Sequence, residues 1–383
     1  MDELKELRDE IDVIDRQIAA LIQQRMDVTY RVGQYKVRSH MNVLDEAREQ
    51  QVLAAKAALS DDPAMQGALI TLFETIMSIS RKQQRQLVQE TDPLYDRYQA
   101  DRANARAPLN DPRVLYQGEQ GAYTEEATVR FFGEHVRRDR VNTWEEIFLA
   151  LKEGRADYGV LPIENNSTGS INQVYDLLAR YGAYIVGEQT VKVEHCLMAP
   201  RGADSDSITD IYSHEQGLFQ CDEYLKDHPR WSSHTMLNTA IAAKFVAESG
   251  DRTKAAIGSR RAAALYGLDI LAEAINSNAE NYTRFVVVSP VMELCPGADK
   301  ISALFTLPHK SGSLHRFMSV VAMAGLNMMK LESRPTPGKS WEYLFFMDFS
   351  GRLEEPSMDG VLHELTQSAS QFRVLGNYKA CGD

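Results

Sequence analysis

The sequence predicts a multidomain chain with an all-α N-terminal segment, an α/β middle region and a ferredoxin-like βαββαβ C-terminal domain. Three observations predict this architecture. The chain has 383 residues, too long for one ordinary domain. Residues 2–90 carry apolar side chains at helical spacing and contain no proline before Pro63. From Arg113 onward, short strand-like runs alternate with helical segments and end in glycine and polar residues.

Composition narrows the function classes. Hydrophobic residues make up 44% and charged residues 25%, an ordinary globular balance. Lys+Arg 42 against Asp+Glu 54 gives a net charge of −12, which disfavours non-specific binding to nucleic acid. No apolar run approaches the roughly 20 residues of a membrane span. The N-terminal MDELKELRDE has no apolar signal core, so the expected location is cytoplasmic. Cys196, Cys221, Cys295 and Cys381 lie far apart and form no CxxC pair. They read as reduced thiols, with no structural zinc site.

The first helix carries Leu4, Leu7, Ile11, Ile14, Ile18, Leu21, Val28, Val32 and Tyr35 in alternating steps of three and four. A lone helix cannot bury such a seam and needs partner helices, and a second copy of the chain is the simplest source. A second helix is expected from about Asp45 to Leu59. Asp61-Asp62-Pro63 stops it and starts a third, carrying Leu69, Leu72, Phe73, Ile76 and Leu87.

The seam has one gap. Its rhythm calls for an apolar residue at 25, and the chain has Arg25. Lys36, eleven residues on, lies about 20° away around the same helix. On the third helix the core-facing positions after Ile76 are Ser80 and Gln84. A buried cation is costly unless an anion answers it. Two readings follow: a structural one, as internal ion pairs with Glu49 or Asp45 or as seam residues that specify the oligomer state, or a polar pocket for a small carboxylated ligand.

Leu7-Arg8, Gln24-Arg25, Val32-Gly33-x-x-Lys36, Asp45-x-x-Arg48-Glu49 and Ser80-x-x-x-Gln84 resemble the all-α chorismate mutase over most of residues 4–88. The resemblance implies an intertwined dimer in which Arg25 and Arg48 hold the substrate dianion and Arg8 reaches in from the other subunit. It places Lys36 and Gln84 at the ether oxygen of the breaking bond. Glu49 and Asp45 would contact the ring hydroxyl, and Ser80 a carboxylate. The rearrangement of chorismate to prephenate is unimolecular and needs no nucleophile or metal. Holding the reactive conformer and stabilising charge on the ether oxygen suffice.

Residues 91–112, with three prolines and no sustained apolar period, read as a linker. Beyond it, Val114–Tyr116, Tyr158–Ile163, Ile211-Tyr212 and Ala255–Ile257 are strand candidates. Each delivers polar or glycine residues at its C-terminal end, where open α/β sheets bind ligands. The stretches Gly118-x-x-Gly121-x-Tyr123-Thr124, Asp157 to Asn165, His195-Cys196-Leu197, Tyr212-Ser213-His214, Leu265 to Leu268 and Asn281 to Phe285 resemble the prephenate dehydratase domain. This implies a domain over 113–292 of two lobes like those of periplasmic binding proteins, with the site in the cleft. Thr283 would contact the leaving hydroxyl; Asn165, Ser213, Gln220 and Glu164 would line the cleft; Arg284 would hold a carboxylate. Without the resemblance each of these reads first as structural: Thr283 and Phe285 as strand residues, Glu164 as an arginine's ion-pair partner, His214 as a satisfied loop histidine. Three residues depart from the family's usual pattern: Glu119, Ala122 and Arg260.

Residues 300–380 supply the βαββαβ order, with strands at Ile301–Leu307, Leu326–Glu332, Tyr343–Phe349 and Phe372–Leu375 and helices at Ser313–Ala324 and Met358–Ala369. Gly312-Ser313-Leu314-His315 and Glu332-Ser333-Arg334-Pro335 resemble the ACT regulatory domain, which implies a phenylalanine site at a subunit interface. His315 replaces the usual aliphatic residue. The structural alternative is a domain that only holds a dimer together.

The resemblances together imply a bifunctional chorismate mutase/prephenate dehydratase of phenylalanine biosynthesis, over 1–90 and 113–292, inhibited by L-phenylalanine through 300–380. They imply no cofactor, no metal, no nucleic acid or membrane partner, and a homodimer or higher oligomer. The alternatives are a dehydratase preferring arogenate and a non-catalytic sensor of aromatic ligands.

Overall fold

The computed structural model describes residues 2–39, 41, 43, 45–85, 87, 92–336 and 342–382. It divides into two compact units, Met1–Pro93 and Leu94–Asp383. No helix among the described residues is long and apolar enough to cross a membrane.

The first unit has three helices: α1 (Asp2–Arg38), α2 (Glu46–Ala57) and α3 (Pro63–Arg85). Asp45 caps α2 by accepting from the Arg48 backbone N–H at 3.0 Å. Pro63 opens α3, where a missing N–H costs nothing. Leu87, expected within the third helix, lies just beyond its end. The C-terminal half of α1 packs on α3, with Arg25 against Ser80 and Gly33 against Gln84. A Cβ on Gly33 would lie 2.9 Å from the Gln84 Cγ and 3.3 Å from its Cα. The apolar seam of α1 remains uncovered, with Leu4 56% and Leu21 63% exposed. That leaves an unburied apolar stripe, a costly arrangement for an isolated helix.

The second unit opens with α4 (Pro93–Ala103). This corrects the expectation of a linker over 91–112. Pro93 sets the first turn, as Pro63 does for α3. The helix is docked: Tyr98 is 2% exposed, Arg102 pairs with Asp359 at 2.8 Å, and the Tyr95 ring lies 4.6 Å from that of His363.

The chain then alternates β1 (Arg113–Gln117), α5 (Tyr123–Phe132), β2 (Arg137–Val141), α6 (Trp144–Lys152), β3 (Tyr158–Asn165), β4 (Gly169–Ser170), α7 (Asn172–Tyr181) and β5 (Tyr184–Lys192). It crosses to a second lobe of β6 (His195–Ala199), β7 (Asp210–Ser213), α8 (Glu215–Gln220), α9 (Asp222–Lys226), β8 (Ser232–Thr235), α10 (Thr239–Ser249), β9 (Lys254–Ser259), α11 (Arg260–Tyr266) and β10 (Asp269–Ala272). It returns as β11 (Tyr282–Ser289), which fills the first sheet between β3 and β5. The first sheet runs β2-β1-β3-β11-β5 and the second β10-β6-β9-β7-β8. Two strand crossings, 192–195 and 272–282, therefore connect the lobes. Each lobe has its own sheet, and in open α/β sheets the loops at the strand ends are where ligands bind.

The C-terminal region is β12 (Lys300–Thr306), α12 (Ser313–Met323), β13 (Met328–Pro335), β14 (Tyr343–Ser350), α13 (Pro356–Ser368) and β15 (Gln371–Tyr378). Its antiparallel sheet runs β13-β14-β12-β15, the expected ferredoxin-like order. One face carries α12 and α13. The other packs on the first lobe, where Leu304, Phe346, Leu375 and Tyr378 join Ile185, Val286 and Val288 in one core. Gly376 permits this approach, because a Cβ there would collide with the Ile185 carbonyl oxygen.

Candidate active sites

In the helical unit the two cations singled out by the seam have neutral partners. Arg25 is partly buried and donates to Ser80 Oγ at 2.8 Å, and Ser80 in turn donates to the Ile76 carbonyl at 2.8 Å. Among the described residues no carboxylate pairs with Arg25. Burial lowers its pKa from the ordinary guanidinium value, the expected result of desolvation without a counter-charge. Lys36 donates to the Val43 carbonyl at 2.5 Å. Gln84 is 7% exposed, and its side-chain oxygen has no hydrogen-bond partner among the described residues. Glu49, the anion that an internal ion pair would use, is bound instead by Arg81 at 2.5 Å. Asp45 spends one carboxylate oxygen on the helix cap. Arg8 and Arg48 are exposed. Internal pairing of Arg25 with Glu49 or Asp45 does not hold. A partly buried arginine without a carboxylate partner and a lysine lie on the stretch of α1 that packs on α3, and these donors suit a small anion.

Gly33 sets the spacing of that junction, which gives a first prediction. Gly33→Ala places a methyl against the Gln84 side chain and backbone, at an overpacking cost of about 1–3 kcal/mol. We expect chorismate turnover to fall by about tenfold, since roughly 1.4 kcal/mol is tenfold, with the rate on added prephenate unchanged. An unchanged chorismate rate would remove the junction from the site.

In the two-lobed region Asn165 organises one polar cluster. Its amide nitrogen donates to Asn281 Oδ1 at 2.8 Å, Thr283 Oγ1 at 2.9 Å and the Tyr282 carbonyl at 3.1 Å. Its oxygen accepts from the Ser167 and Thr168 backbone at 2.9 and 3.0 Å. The Thr283 oxygen thus accepts, and among the described residues nothing receives its proton. A hydroxyl held this way is a ready donor to a leaving group.

Gln220 belongs to a second cluster, at the lobe crossing. Its Oε1 lies 2.9 Å from Nε2 of His195, whose Nδ1 lies 3.1 Å from the Tyr123 hydroxyl. His195 is 2% exposed, and burial brings its pKa down to about 4 despite the Gln220 contact, which raises it. The ring is therefore neutral around pH 7. The returning loop joins the clusters: Ser277 N–H donates to the Gln220 carbonyl at 2.8 Å, and Asn276 Oδ1 accepts from the His195 backbone at 2.6 Å.

Three further residues expected in the cleft make contacts of their own. Ser213 has no exposed surface and donates to the Ile257 carbonyl at 2.8 Å, so it braces the second lobe from inside. Glu164 and Arg284 pair with each other at 3.3 Å across β3 and β11. Adjacent residues of a strand point to opposite faces, so Arg284 turns away from the Thr283 side. It meets Asp348 at 2.8 Å and Glu188 at 3.0 Å, while Lys300 holds Glu188 at 2.6 Å. Burial alone would lower the Arg284 pKa; Asp348, with Tyr378 and Glu188, reverses this and raises it. Arg284 pairs with three carboxylates through its terminal nitrogens, its buried Nε has no partner among the described residues, and it ties the first lobe to the C-terminal sheet. Lys330 extends the network by pairing with Glu164 at 2.9 Å.

The three departures from the usual pattern are each accommodated. Glu119 pairs with Arg140 at 3.2 Å and with Lys244 of the other lobe at 3.7 Å. Arg260 pairs with Glu273 at 2.7 Å. Ala122 stands at the α5 N-terminus and supplies no side-chain cap. Gly121, at φ +88°, presses against Ala262, where a Cβ would fall 2.9 Å from the Ala262 Cα. No helix in this region is preceded by a dinucleotide-type GxGxxG.

In the C-terminal domain, Gly312, with φ +77°, begins α12. Ser313 and Leu314 line a cavity of about 690 Å³ with Leu307, Pro308, Tyr343 and Phe345. Ser333 is exposed and stands opposite Phe345 in the β13–β14 register. Its neighbours face the other way. Glu332 accepts from Ser170, and Arg334 pairs with Asp176 at 2.9 Å. The second motif thus divides between the side of β13 that Ser333 shares with Phe345 and the first lobe of the same chain. His315 is exposed, and Pro335 ends β13.

Sequence reasoning missed Arg81, Glu188, Lys300, Lys330 and Asp348. A signal was available for Lys300 and Asp348: each is a charge at or inside an otherwise apolar strand run, at the head of ISALFT and within YLFFMDFS.

Comparison with known proteins bears on both regions. Residues 7–85 match the family model of chorismate mutase type II, and residues 114–293 that of prephenate dehydratase. The bifunctional chorismate mutase/prephenate dehydratase of Escherichia coli (strain K12) is 32% identical over 380 residues, covering 97% of this chain and 95% of that protein. The protein of the same description from Aquifex aeolicus is 31% identical, covering 99% and 98%. Among solved structures, the prephenate dehydratase from Arthrobacter aurescens in complex with L-Phe aligns at TM-score 0.64 and 28% identity, over 70% of this chain and 90% of that one. GqqA, described as a novel type of quorum quenching acylase, aligns at TM-score 0.64 and 30% identity, over 70% and 98%. With both family models matched in order and relatives aligned over nearly its whole length, the chain belongs to the bifunctional chorismate mutase/prephenate dehydratase family.

Proposed function

We propose that this protein rearranges chorismate to prephenate in its helical unit and converts prephenate to phenylpyruvate in the two-lobed cleft, with L-phenylalanine as inhibitor. The observation that carries the reading is the presence of both matched regions in one chain, each with a polar cluster suited to its step. In the first step Arg25 and Arg48 bind the carboxylates, with Arg8 supplied by a second copy. Lys36 and Gln84 donate to the ether oxygen as its bond to the ring breaks. The uncovered seam of α1 supports the intertwined homodimer, because a copy of the same seam would bury it.

In the second step the ring carboxylate leaves as carbon dioxide. The electron pair of the broken C–C bond enters the ring, and the ring hydroxyl departs with a proton as water. Thr283, its oxygen held by Asn165, donates to that departing oxygen. Gln220 donates to a substrate carboxylate. Glu164 and Arg284 act from the far face of β11 and hold the strand in place.

The C-terminal domain reads as an ACT domain, with its effector site in the cavity beside Ser313, Leu314 and Ser333. The contacts of Glu332 and Arg334 with the first lobe give an effector there a mechanical route to the cleft. We expect Ser333→Leu to shift phenylalanine inhibition to about tenfold higher concentration while leaving basal dehydratase activity near normal. Glu332→Gln should also lower the basal rate, because it weakens the Ser170 contact. Unchanged inhibition in the Ser333 variant would remove that side of β13 from the effector site.

The direct test supplies chorismate or prephenate separately to purified protein, without added metal or nucleotide, and follows chorismate loss and phenylpyruvate formation with and without phenylalanine. Turnover of both substrates supports the reading. Prephenate accumulation from chorismate would keep the mutase and redirect the cleft to arogenate. No turnover of either by folded protein would leave a ligand sensor.

A further inference from the structure

Tyr123, His195 and Gln220 form a hydrogen-bonded chain at the lobe crossing to which neither step above assigns a role beyond Gln220 itself. Tyr123 starts α5 in the first lobe, His195 starts β6 at the crossing, and Gln220 ends α8 in the second lobe. The chain therefore runs from one lobe, through the hinge, to a side chain of the other.

Proton counting fixes how it works. The neutral imidazole has one N–H and one acceptor nitrogen. Gln220 presents its oxygen to Nε2 at 2.9 Å, an acceptor that requires the proton on Nε2. Nδ1 is then the acceptor, and the Tyr123 hydroxyl at 3.1 Å is its donor. The same hydroxyl lies 2.9 Å from the Glu194 carbonyl, so its proton is shared between that oxygen and the more basic ring nitrogen. The backbone that carries the ring is anchored: the His195 N–H donates to Asn276 Oδ1, and the His195 carbonyl accepts from the Ile275 N–H. Holding Gln220 by its oxygen leaves both amide hydrogens turned away from the histidine. A site for a dianionic substrate needs donors there. The opposite tautomer would hold Gln220 by its nitrogen and present an oxygen to the anion.

We propose that His195 is the positioning residue that orients Gln220 as a donor in the cleft, and that Tyr123 selects the histidine tautomer that does so. The role of Gln220 rests on the dehydratase reading given above; the tautomer and its control by Tyr123 do not.

The test has two arms, both on the full chain. Nitrogen-15 NMR of the protein labelled at its nine histidines, with the His195 signals assigned by their loss in His195→Gln, reports the tautomer. The expected result is a neutral ring protonated at Nε2, shifting towards the Nδ1–H form in Tyr123→Phe. A wild-type ring protonated at Nδ1, or a tautomer indifferent to Tyr123→Phe, overturns the proposal. The kinetic arm compares His195→Leu, which removes the donor, with His195→Gln, whose amide N–H can replace Nε2–H. We expect about a tenfold loss of dehydratase kcat/KM in the first, most of it recovered in the second, and no further loss when His195→Leu is added to Gln220→Ala. Equal losses in Leu and Gln variants that retain mutase activity, or additive losses in the double variant, overturn the positioning role. If His195→Leu does not fold, the same comparison is made with Tyr123→Phe. Wild-type protein that does not turn over prephenate would sink the dehydratase reading, and the NMR arm would still decide the tautomer.

Discussion

Arg25→Ala is expected to lower kcat/KM for chorismate by roughly 10²–10³-fold, the range found when one preorganised electrostatic donor is removed. Arg25 is partly desolvated, bonds only to the Ser80 hydroxyl among the described residues, and has no carboxylate to neutralise it. Such a cation is unsatisfied until an anion arrives, so its interaction energy is available to substrate. Removing it should not harm the fold, because no ion pair is broken; deleting a cation without a counter-charge also removes a desolvation cost. The readout is chorismate loss alongside phenylpyruvate formation from added prephenate. The second rate should stay close to wild type, because the residues assigned to that step belong to the other unit. Loss of both activities in a protein with wild-type circular dichroism would break the assignment of one reaction to each region. A normal chorismate rate would return Arg25 to a structural role.

Thr283→Ala gives the converse. The hydroxyl accepts from Asn165 and directs its proton outward, so its loss removes proton donation to the leaving oxygen, an effect of about 10²–10⁴-fold on kcat. Asn165 keeps Asn281 and the Tyr282 carbonyl as acceptors, so no buried amide is stranded. KM for prephenate should change little, and chorismate turnover not at all. Thr283→Ser, which restores the hydroxyl, should recover much of the rate. A kcat within about tenfold of wild type in the Ala variant would mean that hydrogen bonding to the departing oxygen comes from another group.

Much of this was readable from residues alone, and the misreadings have identifiable causes. Arg25, Ser80 and Gln84 interrupt an otherwise regular apolar rhythm, and the structure puts all three at one helix junction. The strand–helix order of 300–380 was legible because its segments are long and strongly patterned. The helix at Pro93–Ala103 was missed because its low amphipathicity, and Pro108 and Pro112 after it, resemble a linker, although Pro93 gives the same start signal as Pro63. Thr283 and Arg284, both expected in one cleft, are neighbours on a strand, whose two-residue period sends their side chains to opposite faces. The Glu188–Arg284–Asp348 network joins strands far apart in sequence, and only packing brings them together. Ser213 shows the limit of motif reading: a polar residue at a strand end can brace a lobe from within.

The two faces of β11 also constrain how its gene can change. Tyr282 to Phe285 must deliver a hydroxyl to one side and a guanidinium to the other, in register with Asn165 and Glu164. Substitutions alter one side at a time. A single-codon insertion or deletion in this stretch would exchange the sides, turning Thr283 towards Glu188 and Asp348 and a cation towards Asn165. In a library of one-residue insertions and deletions across the chain, these four codons should form a sharply intolerant block, whereas the exposed turn at Asp227–Arg230 accepts length changes.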